Sequence, residues 1–359
     1  MRRWMRCCPV RRNGQPPWRS RPVDNGASTS GQDSPMSHGI AVIGLGVIGR
    51  RMLDQTRHRN DLKVVSAWDI TDRAMRSAAA DFPEVPLAAS ARAAIEAPGV
   101  DIVYVGTPPA FHREYVEMAI AAGRKVFCEK PLAVSLVDGE AIVRALSTSA
   151  TANGVNYVFA SAPAVAAMES RLRAGAIGSP RQAEIRLFFS RWPRDWQANA
   201  GWLAWREEGG FVREVLSHYV YLLRRLLGPV AIEAAAIGWQ EDPALCERSA
   251  LARLSCGGVP VLVSASAGAA GPDVVEFTLR GDAGALRLEN WFELSASDGK
   301  RWTQLPHGGL GADRPDPRTA AYQSQLDSLA QLARGEPQPI PDAAVALEVQ
   351  KTIEALLAS

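Results

Sequence analysis

From residue 40 onward the apolar positions follow two alternating periods, and before it they follow none. Ile40-Ala41-Val42-Ile43 is a short continuous apolar run of strand type, residues 48–58 continue at helical spacing, and 62–68 form a second apolar strand. The alternation persists through a helix at 72–80, an extended piece at 86–89 and a helix capped by Ser90 that runs to 97. It continues through a strand at 101–105, an amphipathic helix at 111–122 ended by Gly123, and a strand at 125–128. Strands alternating with helices predict a parallel, doubly wound sheet. Later the period shortens. Segments 181–189, 230–239, 250–254, 259–265, 274–280, 285–290 and 292–296 alternate like strands of a half-exposed sheet, one face of which must be covered. Helices are expected at 211–227, ended by Gly228-Pro229, and at 319–334 and 343–357, which should pack back across both regions. No internal repeat or low-complexity tract interrupts this order.

Composition adds boundaries. A chain of 359 residues, 47% hydrophobic and 22% charged, suits about two globular domains, and no apolar run reaches membrane-spanning length. Residues 1–38 differ: Arg-rich and without periodicity, they read as a disordered leader. Seven arginines and two aspartates give that leader +5, which leaves −3 for the rest of a chain whose total is +2, so the body carries no nucleic-acid footprint. Arg2-Arg3 lacks the apolar segment of an export signal, and Met36, four residues before the first apolar run, is the expected start of translation. Cys7, Cys8, Cys128, Cys246 and Cys256 form no C-x-x-C pair; the odd count fits reduced thiols in a cytoplasmic protein, and no metal site is expected.

Two motifs carry chemistry. Gly44-Leu45-Gly46-Val47-Ile48-Gly49 follows the first strand and opens a helix, the context a dinucleotide fingerprint requires. Gly44 permits the turn, Gly46 admits a pyrophosphate, Gly49 allows close helix packing, and the helix N-terminus at Val47 and Ile48 offers free N–H groups. Asp69 closes the second strand where a ribose-binding carboxylate belongs, which argues for NAD over NADP; the competing reading is a surface cap. Arg50 and Arg73 lie where they can reach a 2′-phosphate. Further strand ends carry Gly106-Thr107-Pro108-Pro109 and Glu129-Lys130-Pro131, so every unusual motif falls on one rim, where ligands of such sheets collect.

The order of glycine fingerprint, Thr107-Pro108, His112 and Glu129-Lys130-Pro131 resembles the glucose–fructose oxidoreductase, inositol dehydrogenase and MocA family, from about residue 39 to the C-terminus. The resemblance implies a Rossmann NAD(P)-binding domain at 39–155. It also implies an α/β substrate and oligomerisation domain at 156–359, built on an open, mainly antiparallel sheet. Further implications are oxidation of a sugar, polyol or cyclitol hydroxyl, a catalytic Lys130 before a cis Pro131, and Thr107, Pro108 and His112 bordering the nicotinamide. A homodimer or homotetramer formed through sheet faces is also implied. His112 reads equally as a helix cap. Gly209-Gly210 to His218 lies where the family writes GG, three residues, Asp, three residues, His; here Glu214 replaces the aspartate and Leu216 a common glycine. Ser161-Ala162-Pro163 lacks the arginine that often precedes this proline.

Oxidising an alcohol requires a hydride acceptor and a base for the hydroxyl proton. His218 suits the base, Lys130 the stabilisation of a developing alkoxide, and Glu214, one helical turn earlier, the orientation of the imidazole. Trp192, Trp196, Trp202 and Trp205, interleaved with Arg191, Arg194 and Arg206, either line a substrate cleft, the arginines holding an anionic group, or fill the gap between domains. Two other functions share these residues: an NAD-assisted glycosidase without net cofactor turnover, and a catalytically silent NAD(P)-binding regulator.

Overall fold

The computed structural model describes residues 37–198, 200–305 and 317–359; residues 1–36 of the leader, Met36 included, lie outside them. Five parallel strands, β1 (His38–Ile43), β2 (Leu62–Trp68), β3 (Val100–Val105), β4 (Lys125–Glu129) and β5 (Asn153–Asn156), pair in the order β2-β1-β3-β4-β5. Helices cover both faces: α1 (Val47–Thr56), α2 (Asp72–Asp81), α3 (Ala91–Ile95), α4 (His112–Ala121) and α5 (Leu136–Thr148). That is why β1 reads as a continuous apolar run, with Ile40 through Ile43 all fully buried. Each such isoleucine or valine contributes about 1.5–3 kcal/mol by leaving water. Thr71, Ser90 and Ser135 cap α2, α3 and α5 by accepting the N–H of Ala74, Ala93 and Asp138.

Two expectations shift. Residues 86–89 form no strand; Leu87 makes one bridge to Ala67, because Pro86 brings no donor to a ladder. The leader boundary expected at 38 falls inside β1, whose first residue is His38.

The second sheet follows α6 (Pro163–Arg173). Its strands are β6 (Pro180–Phe189), β7 (Val230–Trp239), β8 (Glu247–Cys256), β9 (Val259–Ala267), β10 (Val274–Gly281), β11 (Ala285–Glu289), β12 (Glu293–Ser297) and β13 (Trp302–Gln304). They lie in the order β13-β12-β11-β10-β6-β9-β8-β7, antiparallel except for the parallel β6–β9 pair. The period of two is plain in β9, where Val259, Val261, Val263 and Ala265 are buried while Pro260, Leu262 and Ser264 are exposed. α7 (Ser217–Leu227) packs on β7 and β8, and α9 (Ala343–Leu357) on α5, α7 and β7. The remaining helix, α8 (Pro317–Arg334), places Leu326, Leu329 and Ala330 in one apolar cluster with Ile40 and Leu53. α9, packed on both β5 and β7, thus ties the five-stranded sheet to the eight-stranded one.

Candidate active site

The strand order reverses between β2 and β3 on either side of β1, and the glycine loop sits at that switch point, where a crevice opens beyond the strand ends. Gly44 has φ +96°, and a Cβ there would lie 2.7 Å from the carbonyl of Gly106 on the neighbouring strand end. At Gly49 a Cβ would lie 1.9 Å from the Gly44 carbonyl oxygen, so α1 can approach the loop only without a side chain. Gly46 caps α1 with no side chain, leaving its first N–H groups without intrahelical partners, and Gly46, Val47 and Ile48 line a cleft of about 320 Å³. Thr107, on the same wall, holds a buried hydroxyl with no partner among the described residues. An anion-receptive helix start beside an orphaned hydroxyl fits a dinucleotide.

Asp69 sits at the end of β2, half-buried. One carboxylate oxygen accepts the Leu45 N–H at 2.7 Å; the other accepts the N–H and hydroxyl of Thr71, each at 2.8 Å. It therefore ties the glycine loop to the β2 end. Arg50 is paired with Asp81 rather than left open to a phosphate, while Arg73 is exposed and lies outside the lining of the cleft.

Across the cleft, the Lys130–Pro131 peptide is cis, and Lys130 projects its ammonium group toward the turn that leads into α7. Its Nζ donates to the Glu214 carbonyl at 2.9 Å and is ion-paired with the Glu214 carboxylate; the side chains are 7% and 18% exposed. The third N–H is left for the cleft, which Lys130 lines. Glu129 beside it accepts bonds from the Tyr104 hydroxyl and, at 2.6 Å, from Asn156; burial raises its carboxyl above the usual range.

His218 faces the same space but is not oriented by Glu214. Residues Val212–Leu216 form a π-helical turn, not the first turn of an α-helix, and the Glu214 carboxylate it carries is paired with Lys130. The imidazole is instead held by the Val158 N–H, which donates to Nδ1 at 3.3 Å, and by Trp291 and Tyr157, whose rings stand edge to face with it at 5.7 Å. Because Nδ1 accepts, the neutral ring carries its proton on Nε2 and presents a donor to the cleft. Burial, with Lys130 and Arg194 nearby, holds its pKa well below the ordinary histidine value. These observations correct one expectation, since Glu214 partners the lysine and the imidazole is oriented by the Val158 N–H.

His112 is displaced as well. It is fully buried, one ring nitrogen within 2.9 Å of the Thr107 carbonyl and the other within 3.2 Å of that of Leu132, so it braces two strand-end loops without lining the cleft. Among the tryptophans, Trp196 and Trp202 line the cleft with Arg194. Trp192 packs on Phe189 and Phe211 and donates to the Leu203 carbonyl, filling the space between elements. Trp205 and Arg206 border a separate hollow, where the Arg206 guanidinium lies 3.7 Å from the Trp239 ring centre, and Arg191 is exposed and paired with Asp195. Among the lining residues that escaped sequence reasoning, three stand out. Gln197 is 3% exposed and donates to Glu214; Trp291 is held at φ +74° in the turn between β11 and β12; Tyr322 comes from α8. Only the unusual tryptophan after Asn290, at the break between two strand patterns, left a trace in the sequence.

The fold and this rim define a two-domain protein of the dinucleotide-binding class. A family model described as an oxidoreductase family with an NAD-binding Rossmann fold matches residues 38–157, and the C-terminal domain model of the same GFO/IDH/MocA family matches 165–287. The chain belongs to that family. It is 32% identical over 196 residues to a D-apiose dehydrogenase of Paraburkholderia graminis, covering 55% of this chain and 51% of that one. With an inositol 2-dehydrogenase of Acidiphilium cryptum it shares 41% identity over 110 residues, 30% of this chain and 32% of the relative. The match thus spans about half or less of those relatives' length. In fold it is similar to an oxidoreductase from Agrobacterium radiobacter solved with NAD+, L-tartaric acid and magnesium: TM-score 0.76, 21% identity, 90% of this chain and 97% of that one. Among the described residues no helix is long and apolar enough to cross a membrane.

Proposed function

We propose that the protein is an NAD(P)-dependent dehydrogenase acting on a secondary alcohol of a sugar, polyol or cyclitol. The observation that carries this reading is the convergence of Lys130, Glu214 and His218 on the cleft that Gly46, Val47 and Ile48 also line. When bound, the nicotinamide cofactor supplies the hydride acceptor. Lys130 and the Nε2–H of His218 both donate to the substrate oxygen, stabilising the negative charge that grows on it. The hydroxyl proton moves to Lys130 Nζ as the lysine's own proton passes to the Glu214 carboxylate, with which it is already paired. The longer side chain of glutamate, relative to the family's aspartate, suits this role because it reaches the lysine from the π turn. Asp69 and the commitment of Arg50 to Asp81 favour NAD over NADP.

The same reading takes the protein to be a cytoplasmic homo-oligomer. Cys128, Cys246 and Cys256 are buried and unpaired, which fits a reducing compartment, and the outer face of the eight-stranded sheet exposes Leu251 and Leu262.

The test is a screen at 340 nm of NAD+ and NADP+ with sugars, polyols and cyclitols, run beside aryl glycosides. NADH should form with at least one alcohol, and Lys130→Met should lower kcat by about a thousandfold or more while NADH still binds. Glycoside cleavage without NADH formation, or full activity in the methionine variant, overturns the proposal.

A further inference from the structure

Arg194 is a cation in this cleft that the mechanism leaves unused. It lies just ahead of the short turn Asp195–Gln197, and its guanidinium is set among aromatic rings: 4.7 Å from the ring centre of Trp196, 5.4 Å from Phe189 and 5.5 Å from Trp192. Its Nε donates to Gln197 Oε1 at 3.0 Å, whereas neither terminal nitrogen has a partner among the described residues. Other half-buried arginines are treated differently. Arg213 meets Glu354 through two bonds of 2.7 and 2.8 Å, and Arg225 meets Glu169 at 2.9 Å. Enclosing a guanidinium without a carboxylate is costly, and rings on its faces direct its free edge into the cleft. Burial lowers the Arg194 pKa against the pull of Glu214 and Asp273, consistent with a charge not fully compensated.

The position of this edge is fixed relative to the chemistry. Gln197, whose Oε1 holds Arg194, donates through its amide nitrogen to Glu214 at 3.3 Å, and Glu214 pairs with Lys130. Arg194 is thus tied by an unbroken chain of hydrogen bonds to the catalytic lysine. The cleft as a whole is positive: Arg51, Lys130, Arg194 and Arg318 line it against the carboxyls of Glu129 and Glu214, although the body of the protein is acidic.

The geometry points to Arg194 as the receptor for a carboxylate on the substrate, so that the alcohol oxidised at Lys130 belongs to a sugar acid, with its carboxylate gripped by the two terminal nitrogens in a bidentate pair. This rests on the dehydrogenase reading above and narrows its substrate. Trp196 and Trp202, on the same wall, would then face the C–H surface of the sugar acid.

Calorimetry on the protein–NADH complex tests it, with D-glucuronate against D-glucose, D-galacturonate against D-galactose, and D-glucose 6-phosphate as a differently shaped anion. At least one uronate should bind about tenfold or more tighter than its neutral parent. Arg194→Met should bring that ratio to within about threefold of one, and Arg194→Lys, which keeps the charge but not the fork, should leave an intermediate ratio. Equal binding of acid and parent, no binding of either uronate, tighter binding of the phosphate, or an undiminished preference in both variants overturns the assignment. Failure of the dehydrogenase reading registers separately, as the absence of NADH formation with every alcohol tried while the heats of binding are still measured.

Discussion

His218 shows how much a single backbone N–H can decide. The Val158 amide donates to one ring nitrogen, which leaves the proton of the neutral ring on the other and gives the proposed mechanism a donor at this position. Since burial and two nearby cations keep its pKa well below 6.5, the imidazole stays neutral through the physiological range. The kcat/KM profile should therefore show no limb of histidine origin between about pH 6 and 8. His218→Gln, whose amide still donates, should retain more activity than His218→Ala, for which a loss of about a hundredfold is expected. Equal loss in both variants, or a histidine limb near neutrality, would restore the base.

Glu247 is the other residue whose environment sets a measurable property. Its side chain is 1% exposed; one oxygen accepts the Val212 N–H at 2.7 Å at the start of the π turn, and the other is buried without a partner among the described residues. Burial raises its carboxyl to about 7. A carboxyl with a raised folded-state pKa keeps its proton in the fold after the unfolded chain has lost it, so stability falls as pH rises from about 4.5 to 7, by roughly 3 kcal/mol. Glu247→Gln should flatten this decline, seen as a smaller difference in melting temperature between pH 5 and pH 8 than in the parent. An unchanged difference would place the titration elsewhere.

At the scale of elements, the glycine loop and its helix were fully legible in the sequence. The strand before Gly44, the helical spacing after Gly46 and the acid at 69 are local patterns, and local patterns report backbone geometry. Gly49 is the sharpest case. With the Gly44 carbonyl 1.9 Å from its would-be Cβ, Gly49→Ala must push α1 off the loop, so a loss of about 1–3 kcal/mol in stability and at least tenfold in NADH affinity is expected by chemical denaturation and fluorescence titration. Wild-type affinity in this variant would show that the loop tolerates the shift. The π turn was not legible. Glu214 and His218 are four residues apart, and that spacing suggests a partnership; the π turn and the partner that Glu214 takes depend on contacts to Glu247 and Lys130 that come from 35 and 84 residues away. His112 misled for a related reason. A histidine at the start of a helix looks alike whether it faces ligand or two backbone carbonyls.

For the whole molecule, the exposed face of the eight-stranded sheet makes a prediction of its own. Leu251 and Leu262 are 57% and 45% exposed on adjacent strands. Placing charge there with Leu251→Asp and Leu262→Asp together should shift the sedimentation coefficient to that of a monomer without lowering NADH binding. A monomeric parent protein, or an unaltered oligomer in the double variant, would remove that face as the interface. Sequence alone determined the two strand patterns and the fingerprint loop, because each is written in the spacing of neighbouring residues and the turn chemistry between them, while the candidate lysine came from the resemblance its Glu-Lys-Pro motif carries. Tertiary structure alone decided which acid meets the lysine, which backbone amide orients His218, and which of the interleaved arginines and tryptophans reach the cleft. Those outcomes depend on contacts between segments scores of residues apart, which no local periodicity encodes.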